Sequence, residues 1–310
     1  MKFWFIIFIE ALFAPILYLR NEIRNRFSST EDAIEFETDN DITPIKHLVF
    51  GLHEWAAYPL VRFKQIKPNL SPFTCGLRNQ ISSLTDFDIK FRGERTANYH
   101  LTISDYTSKY QQVLDDSKIP LGIFEISQVS NIGMDLAGYA HIVKNKISNS
   151  ADELVFLINT SVSGAFGDKI NNYISEFEEN PKLGLLGISY STSVYQSLIK
   201  NNFQPHLQSF FLVARANVLR SILAENSNEF PGERETNKFA IIRFGEVEIS
   251  RLVNKLGYQV GVVEPTGEVY IFPKFTTWDN KFNAWKLAHG DRRLTNDAPN
   301  TVHSIKKRIK

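Results

Sequence analysis

The run Leu121–Val129, the turn Ser130-Asn131-Ile132-Gly133-Met134-Asp135 and the later run Glu153-Leu154-Val155-Phe156-Leu157-Ile158-Asn159-Thr160-Ser161 decide the fold. Two apolar runs short enough for buried strands flank a polar Asn-Ile-Gly-x-Asp turn and a stretch, Leu136 to Ile147, whose apolar spacing predicts a helix. The second run ends in small polar residues, Asn159 to Ser163, closed by Gly164. In an open α/β sheet, ligands sit at the carboxyl ends of strands, where small residues let backbone and ligand approach closely. Residues 120–165 therefore predict a strand–helix–strand unit with an active-site rim at its exit.

The pattern continues outward from this unit. Lys46–His53 reads as a first strand ending in His53, Glu54 and Trp55, and Tyr99–Ser104 as a second. Ser104 or Asp105 is placed to cap a helix through Leu114, with Pro120 as its stop. Pro59, Pro68 and Pro72 forbid one long helix between Ala56 and Asp88. Beyond the rim, Ile170–Glu179 and Asn217–Ala224 read as helices. Leu183–Ile188 and Tyr258–Val263 read as strands, and Phe203–Val213 as a loop feeding a strand. Glu246–Leu256 carries apolar residues at helical spacing and stops at Gly257. Strands alternating with helices predict an α/β protein with a doubly wound, mostly parallel sheet flanked by helices.

Four segments follow from composition. Residues 1–27 form a hydrophobic helix, apolar from Phe3 to Leu19 apart from Glu10 and Pro15, with Lys2 before it and Arg20, Arg24 and Arg26 after. A carboxylate in mid-span is costly in a bilayer, and no small-residue cleavage site follows. The membrane reading is a helix in the interface, its arginines towards anionic headgroups; the other reading is a core-packing helix. Residues 28–44 are a polar linker, 45–275 the folded domain and 276–310 a basic tail. The net charge of +1 gives no field favouring nucleic acid. The single Cys75 excludes an intrachain disulfide framework and a cysteine-rich zinc site, and reads as buried and inert.

Taken in order, these motifs resemble a GT-A-type glycosyltransferase, with the rhamnan-synthesis F-like proteins of bacterial polysaccharide assembly as the nearest likeness. Asn131-Ile132-Gly133-Met134-Asp135 resembles their Asn-Arg-Gly-Arg-Asp turn, and Asn159-Thr160-Ser161 to Gly164 their strand ending in Asn-Asp-Ser-x-x-Gly. Pro205-His206-Leu207-Gln208-Ser209-Phe210-Phe211 is similar to their His-x-Gln-Ser-Tyr-Phe motif. Gly245-Glu246-Val247-Glu248-Ile249-Ser250-Arg251 with Gly257-Tyr258 is similar to their Tyr-Glu-Val-x-Leu-Ser-Arg helix and trailing Gly-Tyr. The resemblance spans roughly Lys46 to Val263.

That resemblance implies transfer of a sugar from a nucleotide-sugar donor to a saccharide or lipid-linked acceptor in surface polysaccharide or glycan synthesis. The reaction would invert the anomeric centre, on the cytoplasmic face of a membrane or in the cytoplasm. It puts Glu246 at the place of the general base, with Glu248 two residues on. It implies Mg²⁺ or Mn²⁺ on an Asp at the position held here by Thr160; Asn159 and Ser161 are weak neutral ligands, so the metal is left unassigned.

Each candidate has a bland counterpart. Glu246 and Glu248 at a helix start also suit the positive helix end. Asp135 either orients a donor hydroxyl or caps the helix beginning at Leu136, and Asn131 contacts the ligand or forms the turn. His206 and Gln208 bind ligand or are hydrogen-bonded in the core, and His53 and Trp55 meet the nucleotide or fill the core. Arg292 and Arg293 offer guanidinium forks to a diphosphate or form a surface turn. A catalytically degenerate glycan-binding or scaffold protein is the competing reading, since Thr160 replaces the metal-binding Asp; a sugar-phosphate transferase is a third.

Overall fold

The computed structural model describes residues 2–27, 43–65, 72–191, 197–199, 202, 204–272 and 300–306. In chain order the elements are α1 (Lys2–Phe27), β1 (His47–Trp55), β2 (Arg62–Lys64), β3 (Phe73–Cys75), α2 (Leu77–Lys90), β4 (Thr96–Ser104), α3 (Ser108–Ser117), β5 (Phe124–Val129), α4 (Asp135–Asn145) and β6 (Glu153–Asn159). There follow α5 (Ile170–Glu179), β7 (Leu183–Gly187), β8 (Tyr190–Ser191), β9 (His206–Leu207), β10 (Phe211–Arg215), α6 (Ala216–Glu225), α7 (Lys238–Ile241), α8 (Val247–Lys255), β11 (Gln259–Val263) and β12 (Val269–Ile271).

Eight strands form one sheet in the order β12-β11-β7-β10-β6-β1-β4-β5. β1 lies parallel between β4 and β6, β5 is parallel to β4, and β11 is parallel to β7. β10 runs antiparallel to both its neighbours, and β12 is an antiparallel edge. The expected α/β class, with a mostly parallel sheet and an N-terminal apolar helix, is the architecture found. Strands buried on both faces read as continuous apolar runs. In β1, Leu48, Phe50 and Leu52 join one core with Leu84 and Phe87 of α2, Leu114 of α3 and Phe177 of α5. Val49 joins the opposite core with Tyr139 of α4, Ile222 of α6 and Leu252 of α8. The sheet is thus covered on both sides.

From β1 the chain moves outward to β4 and β5, then returns through α4 to place β6 on the other flank of β1. The order of winding reverses between β1 and β6, and a crevice opens at such a switch point at the carboxyl ends of the strands.

The stretch after Pro72, read as mixed, holds the 14-residue helix α2, since no proline follows. α3 is capped by Thr107, which accepts from the Tyr110 amide, and not by Ser104 or Asp105. The direction of β10 was not foreseen, because a run buried on both faces carries no alternation to reveal it. Of the C-terminal stretch read as a basic tail, residues 300–306 return to the domain: Val302 and Ile305 are buried in the core, and the Lys306 amide donates to Gly267 O. Cys75 is fully buried, as expected.

Candidate functional site

Four side chains from four segments meet at the exit of β6. The Asn131–Asp135 turn needs a left-handed residue at Gly133 (φ 87°), where a Cβ would sit 2.5 Å from Glu233 O. That close seating, with the Gly133 amide donating to Glu235 O at 2.9 Å, fixes the start of α4. Asp135 then points to β6, where Asn159 Nδ2 donates to its Oδ2 at 3.1 Å. Ser209, just before β10, puts its Oγ 2.6 Å from the same Oδ2 and 2.9 Å from Glu246 Oε1. The Ser209 amide also donates to Glu246 Oε1 at 2.8 Å. Asp135, Asn159 and Glu246, all expected at the site, are brought together. Ser209, which lies in the His206–Phe211 motif, is the bridge.

A hydroxyl has one hydrogen, so Ser209 Oγ donates to Asp135 or to Glu246 and not fully to both. Burial raises the Asp135 pKa against the opposing pull of the Ser209 and Asn159 bonds.

Glu246 does not open its helix. The helical run begins at Lys238, capped by Asn237, whose side chain accepts from the Phe239 and Ala240 amides. It passes through one wide π turn, Ile242–Glu246, before α8. Glu246 is thus not at the positive end of its helix. Gly245 serves close packing instead of a sharp turn: a Cβ there would lie 2.2 Å from Leu136 Cδ1. The π turn sets the Glu246 side chain towards Ser209, a use such bulges often have at functional sites.

A second cluster lies at the ends of β1 and β6 under the β2–β3 ribbon. Buried Glu54 accepts from Arg62 Nη1 at 3.0 Å. Arg62 Nη2 also donates to both the carbonyl and the hydroxyl oxygen of Thr160, each at 2.7 Å. Lys64 Nζ donates to Ser161 Oγ at 2.8 Å. Desolvation raises the Glu54 pKa to about 7, against the lowering influence of Arg62. Asn300 closes the segment from outside, its Nδ2 donating to Ser161 O at 2.9 Å. The metal implied at Thr160 does not fit this donor set: Thr160 and Ser161 already hold a guanidinium and an ammonium. Among the described residues, no three His, Cys, Asp or Glu side chains gather to bind a cation.

A third cluster forms the outer rim. Trp55 Nε1 donates to Asp105 Oδ2 at 2.6 Å, and Asn131 Nδ2 to the same oxygen at 2.8 Å. Trp55 meets Tyr58 edge to face, and the Arg62 guanidinium lies over the Tyr58 ring. Asp105, with φ 53°, was read only as a cap, and no sequence spacing joins it to Trp55 and Asn131.

Other expected site residues stand apart. His53 is buried, 3.0 Å from Thr102 Oγ1, and desolvation lowers its pKa to about 4, so it is a neutral core histidine. His206 is fully buried with Nδ1 2.7 Å from Gln204 O, and its pKa is likewise lowered to about 4. Gln208 ties its loop to the connection between β7 and β8, accepting from Ser189 Oγ at 2.6 Å. Glu248 pairs with Arg251 three residues on, as a surface helix pair. Arg292 and Arg293 lie outside the described residues.

No family model and no curated protein matches the chain. Among solved structures, the chain is similar to the mannosyltransferase PcManGT of Pyrobaculum calidifontis in complex with GDP-Man and Mn²⁺ (9% identity, TM-score 0.44). That match covers 81% of this chain and 63% of the other, so the chain spans less than two thirds of that protein. It is also similar to the mannosyltransferase Ktr4p of S. cerevisiae in complex with GDP (8%, TM-score 0.34, 92% of this chain and 86% of that). A third is mouse xyloside xylosyltransferase 1 (9%, TM-score 0.36, 83% and 96%).

Proposed function

We propose that this protein is a GT-A-like, rhamnan-synthesis F-like glycosyltransferase. It moves a sugar from a nucleotide-sugar donor to a saccharide or lipid-linked acceptor, in surface polysaccharide or glycan synthesis at the cytoplasmic face of a membrane. The observation that supports this most is the meeting of Asp135, Asn159, Ser209 and Glu246 from four separate segments at the switch point of the sheet.

In this reading Glu246 takes the acceptor hydroxyl proton. The acceptor oxygen attacks the anomeric carbon, the bond to the diphosphate oxygen breaks, and its electron pair leaves with the nucleoside diphosphate. A single displacement inverts the anomeric centre. Ser209 holds Glu246 by hydroxyl and amide, which stabilises it as an ionised base and fixes its aim. The leaving diphosphate needs positive charge, and Arg62 and Lys64 at Thr160 and Ser161 supply it in place of a metal. Trp55, Asp105 and Asn131 offer a ring face and a carboxylate to the nucleoside.

The test measures thermal-shift binding and slow donor hydrolysis across a nucleotide-sugar panel, with and without Mn²⁺, on wild type and Glu246→Gln. Expected are donor-specific stabilisation, hydrolysis lost in Glu246→Gln, and no Mn²⁺ requirement. No binding to any donor would sink the reading. Binding without turnover in both proteins would favour the degenerate scaffold, for which the grip of Arg62 on Thr160 is the supporting observation.

A further inference from the structure

α1 is apolar around almost its whole circumference, yet it is docked by one stripe only. Its buried residues are Phe3, Glu10 and Asn21, and Ile6, Ile7, Ala14 and Leu17 are partly covered. At 3.6 residues per turn these fall on one side of the helix. The opposite arc, about 160° wide on the same spacing, holds Trp4, Phe5, Phe8, Leu12, Ile16, Tyr18 and Leu19. All of these are exposed, Trp4, Phe5 and Ile16 each by more than three fifths. Only 11% of the most apolar window is buried, at a mean hydropathy of 1.8. Soluble monomers rarely leave so large a continuous apolar surface uncovered.

The polar anchor of this helix is specific. Glu10 Oε1 accepts from Arg243 Nη2 at 2.5 Å, and Oε2 from the Leu198 amide at 2.8 Å. Lys2 Nζ lies over the Phe244 ring. Arg243 and Phe244 belong to the π turn that ends in Glu246. The one carboxylate in the apolar stretch of this helix is thus neutralised by the segment carrying the proposed base.

Because its buried stripe runs from Phe3 to Asn21, about 27 Å of helix, α1 cannot cross a hydrocarbon core about 30 Å thick without drawing the polar domain in with it. The exposed rings of Trp4, Phe5, Phe8 and Tyr18 share this arc, and Lys2 and Arg20 lie about 40° beyond its edge. This is the pattern of a helix lying in a membrane interface. A second protein would need to cover the full arc, whereas a bilayer does so without shape matching. We infer that α1 lies in the plane of a membrane surface containing anionic lipid, with the Glu10–Arg243 pair holding it against the Glu246 segment, so that the site takes a lipid-borne acceptor. The acceptor class rests on the glycosyltransferase reading; the membrane contact does not.

The experiment is flotation of the full chain with phosphatidylethanolamine–phosphatidylglycerol vesicles and with phosphatidylcholine vesicles, alongside quenching of Trp4 by lipids brominated near the headgroup or deep in the chain. Expected are binding to the anionic vesicles at least tenfold tighter, shallow quenching exceeding deep quenching, and loss of that quenching in Trp4→Phe. Phe5→Ser/Phe8→Ser/Leu12→Ser should abolish flotation while leaving the melting transition and donor-induced stabilisation intact. Should that variant fail to fold, the wild-type quenching depth still decides. Deep quenching equal to shallow would mean a spanning helix and overturn the inference. So would no flotation combined with a dimer that the triple variant splits. Flotation without donor binding would keep the membrane contact while removing the acceptor class, which separates this failure from that of the enzymatic reading. If both hold, transfer to a lipid-linked acceptor in vesicles should exceed transfer to the same sugar in solution, and Arg243→Gln should reduce that preference without preventing flotation.

Discussion

The two flanks of the crevice each hold a buried glutamate, and they treat it differently. On the β1 flank, Glu54 faces a guanidinium that also grips Thr160, and desolvation still leaves its pKa at about 7. On the β6 flank, Glu246 is held by a hydroxyl and an amide of one serine. An ion pair fixes geometry but commits the carboxylate to its partner; neutral donors aim a carboxylate and leave its charge for a substrate. By this comparison Glu54 is architecture, and Glu246 suits the proposed role of base.

The largest effect expected is on Glu246→Gln. The amide keeps the size and the bond from the Ser209 amide but cannot take a proton, so turnover should fall by about 10²- to 10⁴-fold with donor affinity unchanged. Steady-state transfer with donor titration checks it, and equal activity in the two proteins would remove the distinction between the flanks. Next is Arg62→Met. It leaves Glu54 buried without its cation and should lower stability by about 3–5 kcal/mol in denaturant melts. Glu54→Leu/Arg62→Met should recover most of that loss, because the cost comes from one unpaired charge. A double variant as unstable as the single would mean that the Arg62 bonds to Thr160, not the ion pair, hold this flank.

The β6 flank was more legible in the sequence than the β1 flank, for a physical reason. Asn131–Asp135, Asn159 and Glu246 sit at breaks in strong periodic patterns, where a strand ends or a glycine interrupts a helix, and such breaks mark sheet edges. The strands themselves were legible because continuous apolar runs of this length suit few other structures. Arg62 and Lys64 lie in a short ribbon between prolines with no periodicity to place it, and Asp105 has no neighbour in sequence to suggest Trp55 or Asn131. His53 and His206 drew notice as polar residues beside apolar runs, but a buried neutral imidazole gives that same pattern. The start of the Glu246 helix was missed because the π turn breaks the 3.6-residue spacing just where the reading began.

A smaller effect separates the flanks by pH. The folded pKa of Glu54 lies above its ordinary value of 4.5, so the folded state keeps a proton that the unfolded chain has released. Stability attributable to Glu54 is present below about pH 4.5 and declines as pH rises to about 7, by on the order of 1–3 kcal/mol. His53 and His206 act oppositely: with folded pKa values near 4, they add stability as pH rises from about 4 to 6.5. Subtracting the stability profile of Glu54→Gln from that of wild type isolates the first contribution. A flat difference between pH 4.5 and 7 would mean that Arg62 keeps Glu54 ionised throughout.

The smallest effect is the most informative about the β6 flank. Ser209→Ala removes the hydroxyl between Asp135 and Glu246 but keeps the amide that donates to Glu246 Oε1. One hydrogen bond to a charged group is worth about 1.5–3 kcal/mol, of which the retained amide preserves part, so turnover should fall roughly tenfold. The pH profile carries the sharper signal. Without the Ser209 hydroxyl, a carboxylate at Glu246, the proposed base, loses a stabilising donor, which raises its apparent pKa. The acidic limb of the rate profile should therefore move to higher pH, while Ser209→Thr, which restores a hydroxyl, should return it. A lower rate with an unmoved acidic limb would mean that Ser209 only positions the loop before β10, and that Asp135 and Glu246 titrate independently.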